Sequence, residues 1–145
     1  MSYFNVRVYG LLINADNEIL ISDEHEYDQY FSKFPGGGVE FGEGLIEALK
    51  REFIEECNAE IEIIKHFYTT DFYEKSSFND SQVISVYYLV KEVKPLTLCF
   101  KTKVFDFDEG VFQSFRWVKI NDLIETDVTF KTDQMVVSLL KKSIL

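Results

Sequence analysis

At 145 residues, 46% hydrophobic and 28% charged, the chain has the size and composition of one soluble globular domain with one core, and is too apolar for a disordered segment. Its net charge of −10 argues against a broad grip on a nucleic-acid polymer or an anionic membrane, because those partners require Lys and Arg massed on one face. A phosphate-rich ligand would therefore need cations to help hold it.

The opening "MSYFNVRVYG" shows no basic leader followed by an apolar stretch, so no signal peptide is expected. Residues 4–14 alternate and then thicken into "VYGLLIN", and "EILISD" follows after "ADN", which predicts a strand, a turn and a second strand joined as a hairpin. The acidic "DEHEYD" at 23–28 is expected to be a solvated loop, with no special role for His25. "YFSKF" predicts a short strand ended by Pro35 and the glycines. From Gly44 to Cys57 the apolar period becomes 3.6, and Asn58 tolerates a left-handed cap, so one helix is predicted there.

"AEIEIIKHFYTTDFYE" and "SQVISVYYLVKEV" predict two long strands joined by "KSSFND", with further strand around 97–105 and in "FQSFRWVKI". His66 is expected to be a packed or surface histidine. The apolar run "VISVYYLV" at 83–90 is far short of a membrane span. The closing "TDQMVVSLLKKSIL" spaces Met135, Leu139 and Leu140 helically and sets Lys141 and Lys142 near a C-terminus, where cations suit the helix dipole. Cys57 and Cys99 have no metal-knuckle spacing and are read as small hydrophobes in a reduced, cytoplasmic setting. No repeat or linker divides the chain, which predicts a single domain over residues 1–145.

Two stretches carry the chemistry: "FPGGGVEFGEG" at 34–44 and "LKREFIEECN" at 49–58. The glycines fit neither a Walker loop, which needs a following Lys-Ser or Lys-Thr, nor the dinucleotide fingerprint, which would need glycine where Phe41 stands. Glu40 and Glu43 also bring negative charge to the helix start, which disfavours a simple phosphate cradle. On a helical wheel with Glu52 at zero, Glu55 falls near about 300° and Glu56 near about 40°, beside Ala48, Leu45, Leu49 and Phe53. Lys50, Glu47 and Arg51 fall on the opposite, wet face. Like charges at this spacing, and anions at a helix C-terminus, each cost a few tenths of a kcal/mol up to about 1 kcal/mol. Local rules broken together suggest function, and converging carboxylates suit a hard divalent cation such as Mg2+ that also binds phosphate oxygens.

Gly37, Glu43, Arg51, Glu52, Phe53, Glu55 and Glu56 stand at the spacing of Gly-x5-Glu-x7-Arg-Glu-U-x-Glu-Glu, where U is a bulky apolar residue. This resembles the Nudix box. Its six fixed letters would coincide by chance on the order of once per million starting points. The pattern departs at Asn58, where the family has glycine, and at Ala59, where it has a larger aliphatic residue; "FRWVKINDL" also looks like a Nudix segment.

The resemblance implies an α/β fold, a Nudix-type α/β/α sandwich with a central mixed β-sheet, and hydrolysis of a pyrophosphate linkage in a nucleoside diphosphate derivative or nucleoside triphosphate. It implies Mg2+ or Mn2+ as cofactor, with Glu52, Glu55 and Glu56 as ligands and a backbone carbonyl from Gly37 or Gly36. Glu43 and Arg51 would orient loop and helix through an ion pair. Many relatives carry an acid three residues before the tryptophan, where this chain has Ser114, so a box glutamate, Glu55 or Glu52, is the expected general base, with Glu109 of "DFDEG" second. The expected partner is a small-molecule nucleotide substrate, with a homodimer among the assemblies left open. The alternative is a non-catalytic Nudix-fold module that senses a nucleotide or binds a partner.

Overall fold

A computed structural model of the chain describes residues 2–144. The order of elements is β1 (Tyr3–Leu12), β2 (Glu18–Glu26), β3 (Gln29–Lys33), β4 (Gly36–Gly38), α1 (Leu45–Cys57), β5 (Ile61–Thr69), β6 (Ser81–Glu92), β7 (Gln113–Lys119) and α2 (Lys131–Ile144), with short 3-10 turns at Ile120–Asp122 and Glu125–Asp127. The fold is mixed α/β. Contacts group it into two compact units, one of residues up to Leu12 with Pro35–Thr97, the other of Ile13–Phe34 with the residues from Leu98 onward.

The first unit holds a mixed four-stranded sheet in the order β4-β1-β6-β5. β1 runs parallel to β6, from Tyr3 opposite Ser81 to Leu12 opposite Val90, and antiparallel to β4. The two long strands predicted on either side of "KSSFND" are β5 and β6, and they pair antiparallel. Helix α1 lies close on this sheet: a Cβ at Gly10 would meet the Phe53 ring at 2.5 Å, so only glycine admits the helix there. Val8, Leu11, Leu49, Phe53, Cys57, Val86 and Val90 are buried.

The second unit holds an antiparallel sheet in the order β3-β2-β7, with α2 contributing Val136, Val137 and Leu140 to a core that includes Ile19, Ile21, Phe34, Phe115 and Leu123. Lys141 donates to the carbonyls of Asn121 and Leu123. No helix among the described residues is long and apolar enough to cross a membrane.

Several local expectations are corrected. The chain does reverse at Asn14, whose N–H donates to the Glu18 carbonyl, and Ile13 bridges Ile19. However, β1 and β2 do not form a hairpin, because each has both edges taken by other strands. "DEHEYD" is no solvated loop: β2 runs to Glu26 and returns as β3 through Tyr27 and Asp28, both left-handed at φ 51° and 58°, the signature of a tight hairpin turn. Asp23 within it is fully buried. No strand forms around 97–105, where ring packing, such as Phe100 on Trp117 at 5.4 Å, replaces ladder bonds. On α2, Met135 is exposed and Val136 and Val137 take the core positions, and Cys99 is exposed whereas Cys57 is buried.

Candidate active site

The triple glycine forms β4, paired through Gly36 to Tyr9, Gly37 to Val8 and Gly38 to Arg7. Gly36 has φ +149°, and a Cβ there would lie 2.1 Å from the Val8 carbonyl oxygen. A Cβ on Gly37 would lie 2.6 Å from Cδ and Oε1 of Glu52. The Glu52 carboxylate therefore rests directly against the backbone of the glycine strand, which is how this strand and α1 come to share one site.

The connecting loop closes on itself. Val39 N–H donates to the Val6 carbonyl at 2.9 Å, Glu40 N–H donates to Glu43 Oε1 at 2.9 Å, and Gly42 supplies a left-handed residue at φ +95°. Helix α1 then starts with the Gly44 N–H donating to the Glu47 carboxylate at 3.0 Å. It ends at Asn58, left-handed at φ 49°, whose N–H donates to the Ile54 carbonyl at 3.1 Å. Asparagine does here what glycine would do.

Arg51 organises the cluster. Its Nε and Nη2 donate to Glu43 Oε2 and Oε1 at 2.6 and 2.9 Å, a bidentate pair, and Nη2 also donates to the Gly38 carbonyl at 3.0 Å. Nη1 donates to Glu52 Oε1 at 3.0 Å and to Glu55 Oε2 at 3.2 Å. The wheel sets Arg51 on the wet face, yet its side chain is only 22% exposed, because the loop carrying Glu43 folds over it. The bidentate hydrogen bonds from Arg51, assisted by the backbone N–H of Glu40, hold the Glu43 carboxyl down at about 2. The same bond to Glu43 raises Arg51 further above its ordinary value.

The three helix carboxylates sit at graded depth: Glu52 is 14% exposed, Glu55 is 57% exposed, and Oε2 of Glu56 is buried. Among the described residues, no group of three His, Cys, Asp or Glu side chains is gathered closely enough to hold a metal ion, and Arg51 Nη1 bridges Glu52 and Glu55. The chemistry of the donors nonetheless fits a hard divalent cation: the stripe offers carboxylate oxygens only, next to a glycine backbone that leaves Glu52 room.

Glu43, Arg51, Glu52, Glu55 and the glycine strand are thus brought together, with Glu56 one helical turn beyond Glu52. Glu109 and Ser114 belong to the other unit. Glu109 is exposed in a turn closed by the Val111 N–H to the Asp108 carbonyl at 3.0 Å, whereas Ser114 Oγ is buried. Two contributors escape the sequence reading. The Gly38 carbonyl leaves no side-chain signal, but Glu47 does, standing three residues after the helix cap as a capping glutamate should.

A family model described as the NUDIX domain matches residues 4–138. Among solved structures, the ORF135 protein of E. coli is similar, with TM-score 0.71 at 18% identity, over 96% of this chain and 89% of that one. A MutT protein from Methanosarcina mazei Go1 gives TM-score 0.72 at 18% identity, over 97% and 95% of the two chains. An ADP-ribose pyrophosphatase from Streptococcus suis gives 0.61 at 15% identity, over 97% and 91%. These likenesses show the fold. No curated protein matches the sequence significantly.

Proposed function

Because the chain belongs to the NUDIX family and is a Nudix hydrolase, we propose that it cleaves the pyrophosphate linkage of a small nucleotide derivative, using a divalent cation held by Glu52, Glu55, Glu56 and the Gly37 carbonyl. The observation that carries this reading is the single guanidinium of Arg51, which holds the loop through Glu43, the glycine strand through Gly38 and two of the three candidate ligands at once. When bound, Mg2+ or Mn2+ supplies neutralisation of the pyrophosphate charge and makes water more acidic.

The chain's own residues do the rest. Arg51 and Glu43 are positioning residues: they lock the loop to the helix and aim the carboxylates. Glu55 is the favoured general base, being the most exposed of the three, with its Oε2 fixed by Arg51 and its Oε1 on the other side of the carboxylate. Water oxygen attacks phosphorus, its proton passes to Glu55, and the bond to the leaving phosphate breaks as that oxygen takes the electron pair. Glu52, deeper and against Gly37, serves as a ligand.

The test is a hydrolysis panel of ADP-ribose, nucleotide sugars, and ordinary and oxidised nucleoside triphosphates, with Mg2+ and with Mn2+. Glu55→Gln should lower kcat by about 10²–10⁴-fold. Glu56→Gln should instead raise the cation concentration needed for half-maximal rate. If the wild-type chain cleaves nothing, or both variants keep the full rate, the proposal fails.

A further inference from the structure

The second unit carries an aromatic surface that this chemistry does not use. Tyr30 on β3 is 58% exposed and stacks on His25 of β2, with ring centroids 4.1 Å apart and planes 13° apart. Phe105 and Phe107, from the irregular segment before β7, lie 5.3 and 6.4 Å from the Tyr30 ring. Phe112, 62% exposed, meets His25 edge-on at 6.1 Å, and its carbonyl accepts the His25 N–H at 3.0 Å. A contiguous exposed apolar patch is a mark of an interaction surface, and aromatic residues are enriched in such surfaces.

Two further observations say what would bind. Phe105 has φ 59°, a left-handed conformation that a bulky residue adopts only at a cost of about 1–3 kcal/mol. The strain places its ring against Tyr30. The contributing segments, 23–30 and 104–112, contain seven acidic residues and no Lys or Arg. Three are paired with cations of this chain, Asp23 with Arg116 and Glu24 with Lys33 in buried pairs and Asp108 with Lys101 at the surface. Glu26, Asp28, Asp106 and Glu109, from the same two segments, are exposed, with Asp106 also within electrostatic reach of Lys101. A floor of π faces with an acidic rim attracts a cation that also has a flat apolar face, which describes the arginine guanidinium.

We propose that the surface built on Tyr30, His25, Phe105, Phe107 and Phe112 docks an arginine-bearing basic segment of a partner protein. The rings stack on guanidinium planes, and the exposed carboxylates accept their N–H groups. A second copy of this chain is disfavoured as occupant by its net charge of −10.

The test titrates the full chain into a fluorescein-labelled arginine-glycine repeat peptide, with lysine-glycine and glutamate-glycine repeats beside it, reading fluorescence anisotropy. The arginine peptide should bind most tightly and the glutamate peptide should not bind. Tyr30→Ala should weaken arginine-peptide binding about tenfold or more, and Tyr30→Phe should keep it. Asp106→Asn should weaken it several-fold, whereas Glu62→Gln, an exposed carboxylate on β5, should change nothing. Equal binding by wild type and Tyr30→Ala would reduce the effect to general attraction and overturn the proposal. Amide shifts of the unmodified chain, followed by NMR on adding the peptide, guard against a misfolded variant: changes confined to 25–30 and 104–112 support the surface, and changes spread over the molecule overturn it.

Discussion

Gly36 and Gly37 are neighbours with the same side chain and opposite reasons for having it. At Gly36 an added methyl would meet backbone, the Val8 carbonyl at 2.1 Å, in a residue whose φ of +149° already disfavours any L side chain. Backbone in a paired strand cannot give way, so Gly36→Ala should destabilise the protein, by about 1–3 kcal/mol or more. At Gly37 the methyl would meet the carboxylate of Glu52 at 2.6 Å, the mobile end of a flexible side chain. Gly37→Ala should therefore leave the melting temperature within a few degrees of wild type while turning Glu52 away and lowering activity about tenfold or more. Thermal melts and initial rates on the two variants separate these cases; equal losses of stability in both would show that the Glu52 contact is not what Gly37 serves.

Between the loop and α1 the decisive link is the pair of Glu43 and Arg51. The Glu43 carboxyl is lowered from 4.5 to about 2 by the Arg51 hydrogen bonds, so its stabilising contribution is fully present above about pH 4.5 and is lost as pH falls toward 2. The gap in melting temperature between wild type and Glu43→Gln should be constant above pH 5 and close between pH 4.5 and 2; a gap already closed at pH 5 would mean the pair is looser than its geometry. The helix of this link was legible from sequence, because period, cap and carboxylate spacing are all local. Strand partners were not. β1 and β2 look like a hairpin in isolation, but the choice of partners belongs to strands some 70 to 100 residues further on. Likewise "DEHEYD" looks solvated by charge count alone, since nothing nearby shows that Asp23 will be buried against Arg116, 93 residues later, at 2.7 Å. The stretch at 97–105 has strand-forming residues, yet spends its aromatics on ring contacts with β3 and β7.

For the whole molecule, charge is the quantity that ties stability to function. Carrying −10 overall, the chain concentrates Glu52, Glu55 and Glu56 near the C-terminal end of α1, where the dipole disfavours them, and sets the Arg51 guanidinium against Glu52 and Glu55. A site that places carboxylates where folding alone would avoid them should become more stable when a cation arrives. Mg2+ binding only the folded state stabilises it by RT ln(1 + [Mg2+]/Kd), about 2.7 kcal/mol at a hundredfold excess over Kd. Thermal unfolding in rising Mg2+ should therefore shift upward in wild type, with Ca2+ or Mn2+ and matched NaCl separating specific binding from screening. Glu52→Gln and Glu56→Gln should gain little on adding Mg2+, and Glu52→Gln, which gives up its ion pair with Arg51, should melt no higher than wild type without metal. Glu62→Gln should respond to Mg2+ as wild type does. A Mg2+ shift that survives in Glu52→Gln and Glu56→Gln alike would place the cation elsewhere on this acidic surface and remove the basis for assigning the helix carboxylates as its ligands.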